Sequence, residues 1–120
     1  MKQYKKLLLK KLNEHGWELV AQDSDCDWWL EEYWTIRSTR ANWGLELLVL
    51  FLVDPHYDGH LKHQGVWAVS VAHDMPIDRS DAERRLVLIS IKSHFNQEVD
   101  ILLDAINDYR NGDYQYGAYH

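Results

Sequence analysis

The sequence contains one cysteine, Cys26, and two prolines in 120 residues. One cysteine cannot form an internal disulfide, which excludes a disulfide-stapled secreted scaffold and favours a reducing compartment. No apolar run approaches the roughly 20 residues that a membrane span requires. The Met-Lys start is followed by neither a sustained apolar segment nor a small-residue cleavage site. We therefore expect a cytoplasmic protein that has no membrane partner.

Positive charge is also in short supply. The 13 lysines and arginines stand against 19 aspartates and glutamates, and the net charge is −6 at pH 7. Nucleic acids and anionic membranes attract proteins through a positive field, so we expect no nucleic-acid partner. The hydrophobic share of 46% and the six tryptophans are typical of a folded domain. The acidity is ordinary for a bacterial-type cytosolic protein.

The stretch at residues 43–53 is the centre of the fold prediction. Seven apolar residues follow Glu46 without interruption. A strand with one wet face would alternate, whereas a short continuous run indicates a strand covered on both faces. The odd-numbered face is wholly apolar, and the even-numbered face is apolar toward its far end. The odd-numbered face comprises Trp43, Leu45, Leu47, Val49, Phe51 and Val53.

Periodicity predicts the remaining elements. Apolar residues at helical spacing predict helices over 2–14 and 94–110. Alternation and turn signals predict strands over 17–21, 28–38, 66–73 and 86–91. In these strands, alternation places Leu30 on the same face as Trp34, and Trp67 on the same face as Val69 and Val71. Together these elements predict an α+β two-layer sandwich. Its mostly antiparallel sheet has about four to five strands, with the N-terminal and the C-terminal helix packed on one face, the odd-numbered face. We assign residues 1–112 to this domain and 113–120 to a Tyr-rich C-terminal tail.

The even-numbered face of the central strand then lacks a cover, and an uncovered apolar patch indicates an interaction site. Trp28 and Trp29, consecutive in a predicted strand, should point to opposite faces, so at least one should join this patch. We expect the face to bind a protein partner or a second copy of the chain, as a homodimer. The predicted binding residues are Trp29, Leu48, Leu50, Leu52, Tyr114 and Tyr116.

The connection over 54–65 contains three histidines within eight residues, His56, His60 and His63. Imidazole is a suitable ligand for zinc, nickel or copper. The spacing matches no defined site, and a water-exposed loop lacks the fixed geometry that a metal site needs. A transition metal is therefore the alternative hypothesis, and otherwise no cofactor is expected.

The residues needed for catalysis are missing. No Gly-x-Ser-x-Gly turn is present, and Cys26 lies among carboxylates that would raise the pKa of its thiol. Glutamates on neighbouring strands offer the remaining possibility, and Glu32 and Glu46 would approach each other in some registers. The sequence thus favours a non-enzymatic protein-interaction domain, immunity- or adaptor-like, that acts through the second face of its sheet. The alternative is a metal-binding module that uses the His-rich 54–65 loop.

Overall fold

The structure is a computed structural model that describes residues 1–54, 65–92 and 94–119. Within these residues two α-helices and five β-strands follow one another along the chain. They are α1 (Gln3–Glu14), β1 (Trp17–Asp23), β2 (Leu30–Ser38), β3 (Glu46–Val53), β4 (Val66–Ala72), β5 (Arg85–Ser90) and α2 (Phe95–Asn111). The predicted α+β class and antiparallel sheet are confirmed.

The sheet is a meander in which each strand pairs with the next one in the sequence. Its order is β1-β2-β3-β4-β5, and all four pairings are antiparallel. β3 therefore lies in the middle, as its continuous apolar run predicts.

Both helices pack on one face of the sheet, where they cover the odd-numbered side chains of β3. We call the buried cluster there the first-face core. Leu8 and Leu12, one helical turn apart, reach it from α1, since residues at i and i+4 share a helix face. α2 supplies Val99, Leu102 and Ile106, and β3 supplies Leu47, Val49 and Phe51.

Glycines in the left-handed conformation lie just after both helices. Gly16 has φ +78°, and Gly112, the C-cap of α2, has φ +81°. Residues with a Cβ rarely adopt this conformation, so glycine here lets the chain leave the helix. Neither α1 nor α2, the two helices among the described residues, is long and apolar enough to cross a membrane.

Buried Arg110 fastens the end of α2 to the end of α1. Its guanidinium donates to the carbonyls of His15 (2.9 Å) and Gly16 (3.1 Å), and it lies 4.6 Å from the ring centroid of Trp17. Burial lowers the pKa of the Arg110 guanidinium, with a smaller contribution from the positive charge of Arg40. The contact with His15 pairs a carbonyl at the C-terminus of α1, where a helix leaves its last carbonyls without partners in the helix.

The central strand begins later than predicted. β3 starts at Glu46, and Trp43 lies in the preceding turn, where its side chain is 76% exposed. Gly44 in this turn has φ +88°. Trp43 therefore does not belong to the first-face core.

β-bulges change which face two side chains occupy. Leu30 pairs with Leu52 and Glu32 pairs with Phe51, so Glu31 is an extra residue in β2. Leu30 consequently lies on the second face and not, as alternation predicted, with Trp34. A similar shift at the start of β4 leaves Trp67 packed against the second-face cluster.

Candidate functional site

Two loops of the chain itself cover much of the second face of the sheet. The β1–β2 loop comprises residues 24–29, and the β4–β5 loop comprises residues 73–84. The β4–β5 loop leaves and rejoins the sheet at the Ala72–Arg85 pair, and Ala72 also lies opposite Leu48. The Nη1 of Arg79 nevertheless donates to the carbonyl of Val53 (3.3 Å), five residues further along β3. The Arg79 guanidinium thus lies about 16 Å along the sheet from the point where the loop begins, at about 3.3 Å per residue.

This cover buries three of the predicted partner-binding residues. Trp29, Leu50 and Leu52 are 5%, 1% and 4% exposed, and they form one cluster with Leu30. Trp28 and Trp29 lie in a turn before β2 and are not consecutive strand residues, so the assumption of opposite faces was wrong. The turn directs Trp29 inward, and Trp28 remains 53% exposed.

Leu48 is half-buried at the edge of the same cluster. The two tyrosines predicted to join it lie elsewhere. Tyr114 packs against the first-face core, and its hydroxyl donates to the carbonyl of Leu86 (2.6 Å). Tyr116 is exposed, and its hydroxyl donates to the carbonyl of Ala82. The structure therefore does not bring the six predicted residues together on one accessible surface.

The accessible part of this side is the rim where the two loops meet. We call Asp27, Trp28, Ile77, Asp78 and Arg79 the Trp28 surface. These residues and Trp29 line an open pocket of about 500 Å³. Ile77 is 75% exposed, and the guanidinium carbon of Arg79 lies 4.5 Å from the Trp28 ring centroid. An exposed tryptophan and an exposed isoleucine thus lie beside one concavity, with a charged group held against the aromatic ring.

Two carboxylates, Asp27 and Asp78, line this pocket beside one arginine, Arg79. The two loops that meet there are acidic as a whole. The β1–β2 loop and the residue before it contribute three aspartates, and the β4–β5 loop contributes three aspartates and a glutamate against two arginines. These residues are Asp23, Asp25, Asp27, Asp74, Asp78, Asp81 and Glu83, with Arg79 and Arg84. The two loops therefore carry a net negative charge at pH 7, in line with the net charge of the chain.

The geometry of the β4–β5 loop keeps two of these aspartates ionised. Hydrogen bonds from the hydroxyl (2.6 Å) and the N–H (2.8 Å) of Ser80 lower the pKa of Asp78. The N–H of Ile77 and the guanidinium of Arg84 lower the pKa of Asp81 to about 2. Hydrogen bonds to the charged form favour that form.

A second polar cluster lies on the opposite face, under α1. In a regular strand the side chains of Glu31 and Glu32 would point to opposite faces. The bulge at Glu31 lets both carboxylates bind the buried ammonium of Lys5, which is 2.9 Å from Glu32 Oε2. The same ammonium lies 4.3 Å from the ring centroid of Phe51, and the indole N–H of Trp34 donates to Glu32. The charged groups of this cluster are thus paired with one another.

Its surroundings do not form a deep active site. Glu32 lines two open concavities, of about 190 and 420 Å³. Burial, and then the charges of Glu31 and Glu32, raise the pKa of the Tyr4 hydroxyl, which keeps the phenol neutral. Glu46 lies far from Glu32, because the register pairs Glu46 with Arg37, and their side chains form an ion pair at 2.9 Å. The two glutamates therefore do not form an acid–base pair.

The histidines of the metal hypothesis, His56, His60 and His63, lie outside the described residues. Among residues 1–54, 65–92 and 94–119, no three histidine, cysteine or carboxylate side chains are grouped so that they could hold a metal ion.

Sequence reasoning missed Trp28, Ile77 and Arg79 as a group, because no periodicity places loop residues in space. One signal was available in hindsight. The β4–β5 connection has 12 residues and is rich in aspartate, whereas a hairpin needs only two to five. A connection of this length is able to fold back over the sheet.

Comparison with known proteins does not add a relative. The chain matches no protein-family model, no curated protein and no solved structure.

Proposed function

We propose that this chain is a non-enzymatic protein-binding domain whose Trp28 surface binds a basic region of a partner protein. The observation that carries the proposal is the exposed pair Trp28 and Ile77 at one concavity that Asp27 and Asp78 also line. Tryptophan and arginine are the residues most enriched among the anchors of protein interfaces, and both occur here. Folding leaves most other large apolar side chains of the described residues covered.

Charge indicates the kind of partner. A surface formed by two loops of net negative charge attracts a positively charged region and accelerates its association. The same charge opposes a homodimer through this surface, because two copies would bring like charges together. We therefore favour a different, basic protein over a second copy. The single cysteine supports a cytoplasmic setting for this interaction.

A capture experiment followed by reconstitution tests the proposal. The wild-type chain is used to capture proteins from a lysate of its source organism, and the captured protein is identified by mass spectrometry. The complex is then rebuilt from purified components and measured by calorimetry. We expect Trp28→Ala to weaken binding at least about thirtyfold, since anchor truncations cost about 2 kcal/mol or more.

Trp43→Ala is the matched control, because Trp43 is exposed in a different turn. It should leave the affinity unchanged within about twofold. Equal binding by the wild type and by Trp28→Ala would overturn the proposed surface. If no captured protein bound in the reconstitution, and light scattering showed a monomer, the binding function itself would be wrong.

A further inference from the structure

The pocket at the Trp28 surface has the composition of a site for a single cationic side chain. Its volume of about 500 Å³ lies within the range of small-ligand pockets. Its lining includes two tryptophans, the buried Trp29 and the half-exposed Trp28. Asp27 and Asp78 place carboxylates on the same lining. Aromatic faces combined with carboxylates bind cations through two independent interactions.

The molecule itself shows that Trp28 accepts a guanidinium. The guanidinium carbon of Arg79 lies 4.5 Å from the centroid of the ring, and Nη1 of the same guanidinium donates to the Val53 carbonyl. With Arg79 in place, about half of the Trp28 side chain is still accessible. A second planar cation can therefore stack on the accessible part of the indole.

Asp78 is suitably prepared to bind that cation. Both hydrogen bonds from Ser80 go to Oδ1, which fixes the carboxylate and leaves Oδ2 able to accept from a ligand. A fixed carboxylate beside an indole favours arginine over lysine. The planar guanidinium can stack its face on the indole and donate hydrogen bonds from its edge to the carboxylate.

We infer that this pocket receives an arginine side chain of the partner protein, stacked on Trp28 and paired with Asp78. The inference rests on the proposed function, since it specifies which part of the basic partner enters the pocket. It makes a charged side chain of the partner, and not an apolar one, the group that enters the pocket.

A peptide titration on the isolated chain tests this directly. The probe is the blocked tripeptide Ac-Gly-Arg-Gly-NH2, followed by the chemical shift of the Trp28 indole N–H and by tryptophan fluorescence. The control probe replaces arginine by citrulline, which has nearly the same shape and no charge. We expect millimolar binding of the arginine peptide and at least about fivefold weaker binding of the citrulline peptide.

Two variants connect the binding to the proposed contacts. Asp78→Asn should weaken arginine-peptide binding about threefold to tenfold. Asp113→Asn, which alters an exposed aspartate after α2, should leave it unchanged. The circular dichroism spectrum of each variant verifies that it is folded.

Equal binding of the arginine and citrulline peptides, or no shift of the Trp28 indole at millimolar arginine peptide, would overturn the inference. Either result is distinguishable from failure of the proposed function. A reconstituted complex that depends on Trp28 would still show a protein-binding surface, used through apolar contacts.

Discussion

The two faces of the sheet are buried by different means. β3 contributes Leu47 to the first face and Leu50 to the second, and each is 1% exposed. The first face is covered by two helices, and most backbone N–H and C=O groups of a helix hydrogen-bond within that helix. On the side of Leu50 lie two loops, fastened by single contacts such as that from Arg79 to Val53. The same burial is thus reached with a regular cover on one side and an irregular cover on the other.

The difference explains where an interaction surface can form. Helices bury a continuous apolar stripe and present charged residues to solvent. Loops expose side chains without periodicity, so Trp29 faces inward while its neighbour Trp28 faces outward. Binding residues are accordingly found most often on loops held by a rigid scaffold.

The largest expected effect comes from truncating one buried leucine of β3 on each face of the sheet. Leu47→Ala should lower the free energy of unfolding by about 4 kcal/mol, near the upper end for buried leucine. Leu50→Ala should lower it by only about 2–3 kcal/mol, because a loop can collapse into the cavity more readily than packed helices can. Urea unfolding of both variants provides the measurement. Equal losses would show that the loop cover is as rigid as the helical one.

Removal of the buried ammonium under α1 should have the next largest effect. Lys5→Ala leaves the carboxylates of Glu31 and Glu32 beside each other without a counter-charge. We expect the free energy of unfolding to fall by about 3 kcal/mol. The exposed neighbour Lys6 is the control, and Lys6→Ala should change it by less than about 0.5 kcal/mol.

Adding Glu31→Gln to the Lys5→Ala variant should recover part of the loss, since one of the unpaired charges is then removed. Thermal or urea unfolding of the double variant measures this recovery. No recovery would mean that lost packing against Phe51, and not charge, caused the destabilisation.

A smaller effect is expected from releasing the β4–β5 loop. Arg79→Met removes the hydrogen bond to Val53 and the stack on Trp28, and it should cost about 1 kcal/mol. Hydrogen exchange should become faster in the loop while amides of β3 keep their protection. Unchanged exchange at Ser80 and Asp81 would show that other contacts hold the loop.

The smallest effect is a pH dependence confined to the same loop. Asp81 has a pKa of about 2 in the fold against 3.8 as the reference value for an unperturbed aspartate, because it accepts from Ile77 and Arg84. Its stabilising contribution is therefore fully present above about pH 4 and is lost as the pH falls through about 2. The amide shift of Ile77 should report a midpoint near 2 by NMR, and Asp81→Asn should abolish that transition. A midpoint near 3.8 would contradict the hydrogen bonds described.

Most of the fold could be predicted from local pattern. The helical spacing of Leu8 and Leu12 and the continuous run after Glu46 are properties of the chain itself, and the elements they predict are present. The face assignment failed at Leu30 and Trp67, because a bulge inserts one residue and reverses the alternation that follows it. Nothing in the residue types near Glu31 distinguishes a bulge from a regular strand.

The candidate site was predictable only in part. The residue pattern correctly predicts that the second face is apolar. Two helices can cover only one face, so the pattern predicts an accessible second face with Leu50 and Leu52 on it. In the structure the two loops cover both leucines, and Trp28 and Ile77 are exposed instead. The partner-binding role itself stays a prediction.

The sequence by itself determined which helices and strands form along the chain and which strand lies at the centre of the sheet, because these depend on periodicities of a few residues. Only the tertiary structure decided which apolar side chains stayed in contact with water. That outcome depends on where long loops come to rest, and a loop's path is set by scattered contacts such as Arg79 with Val53, between residues 26 positions apart.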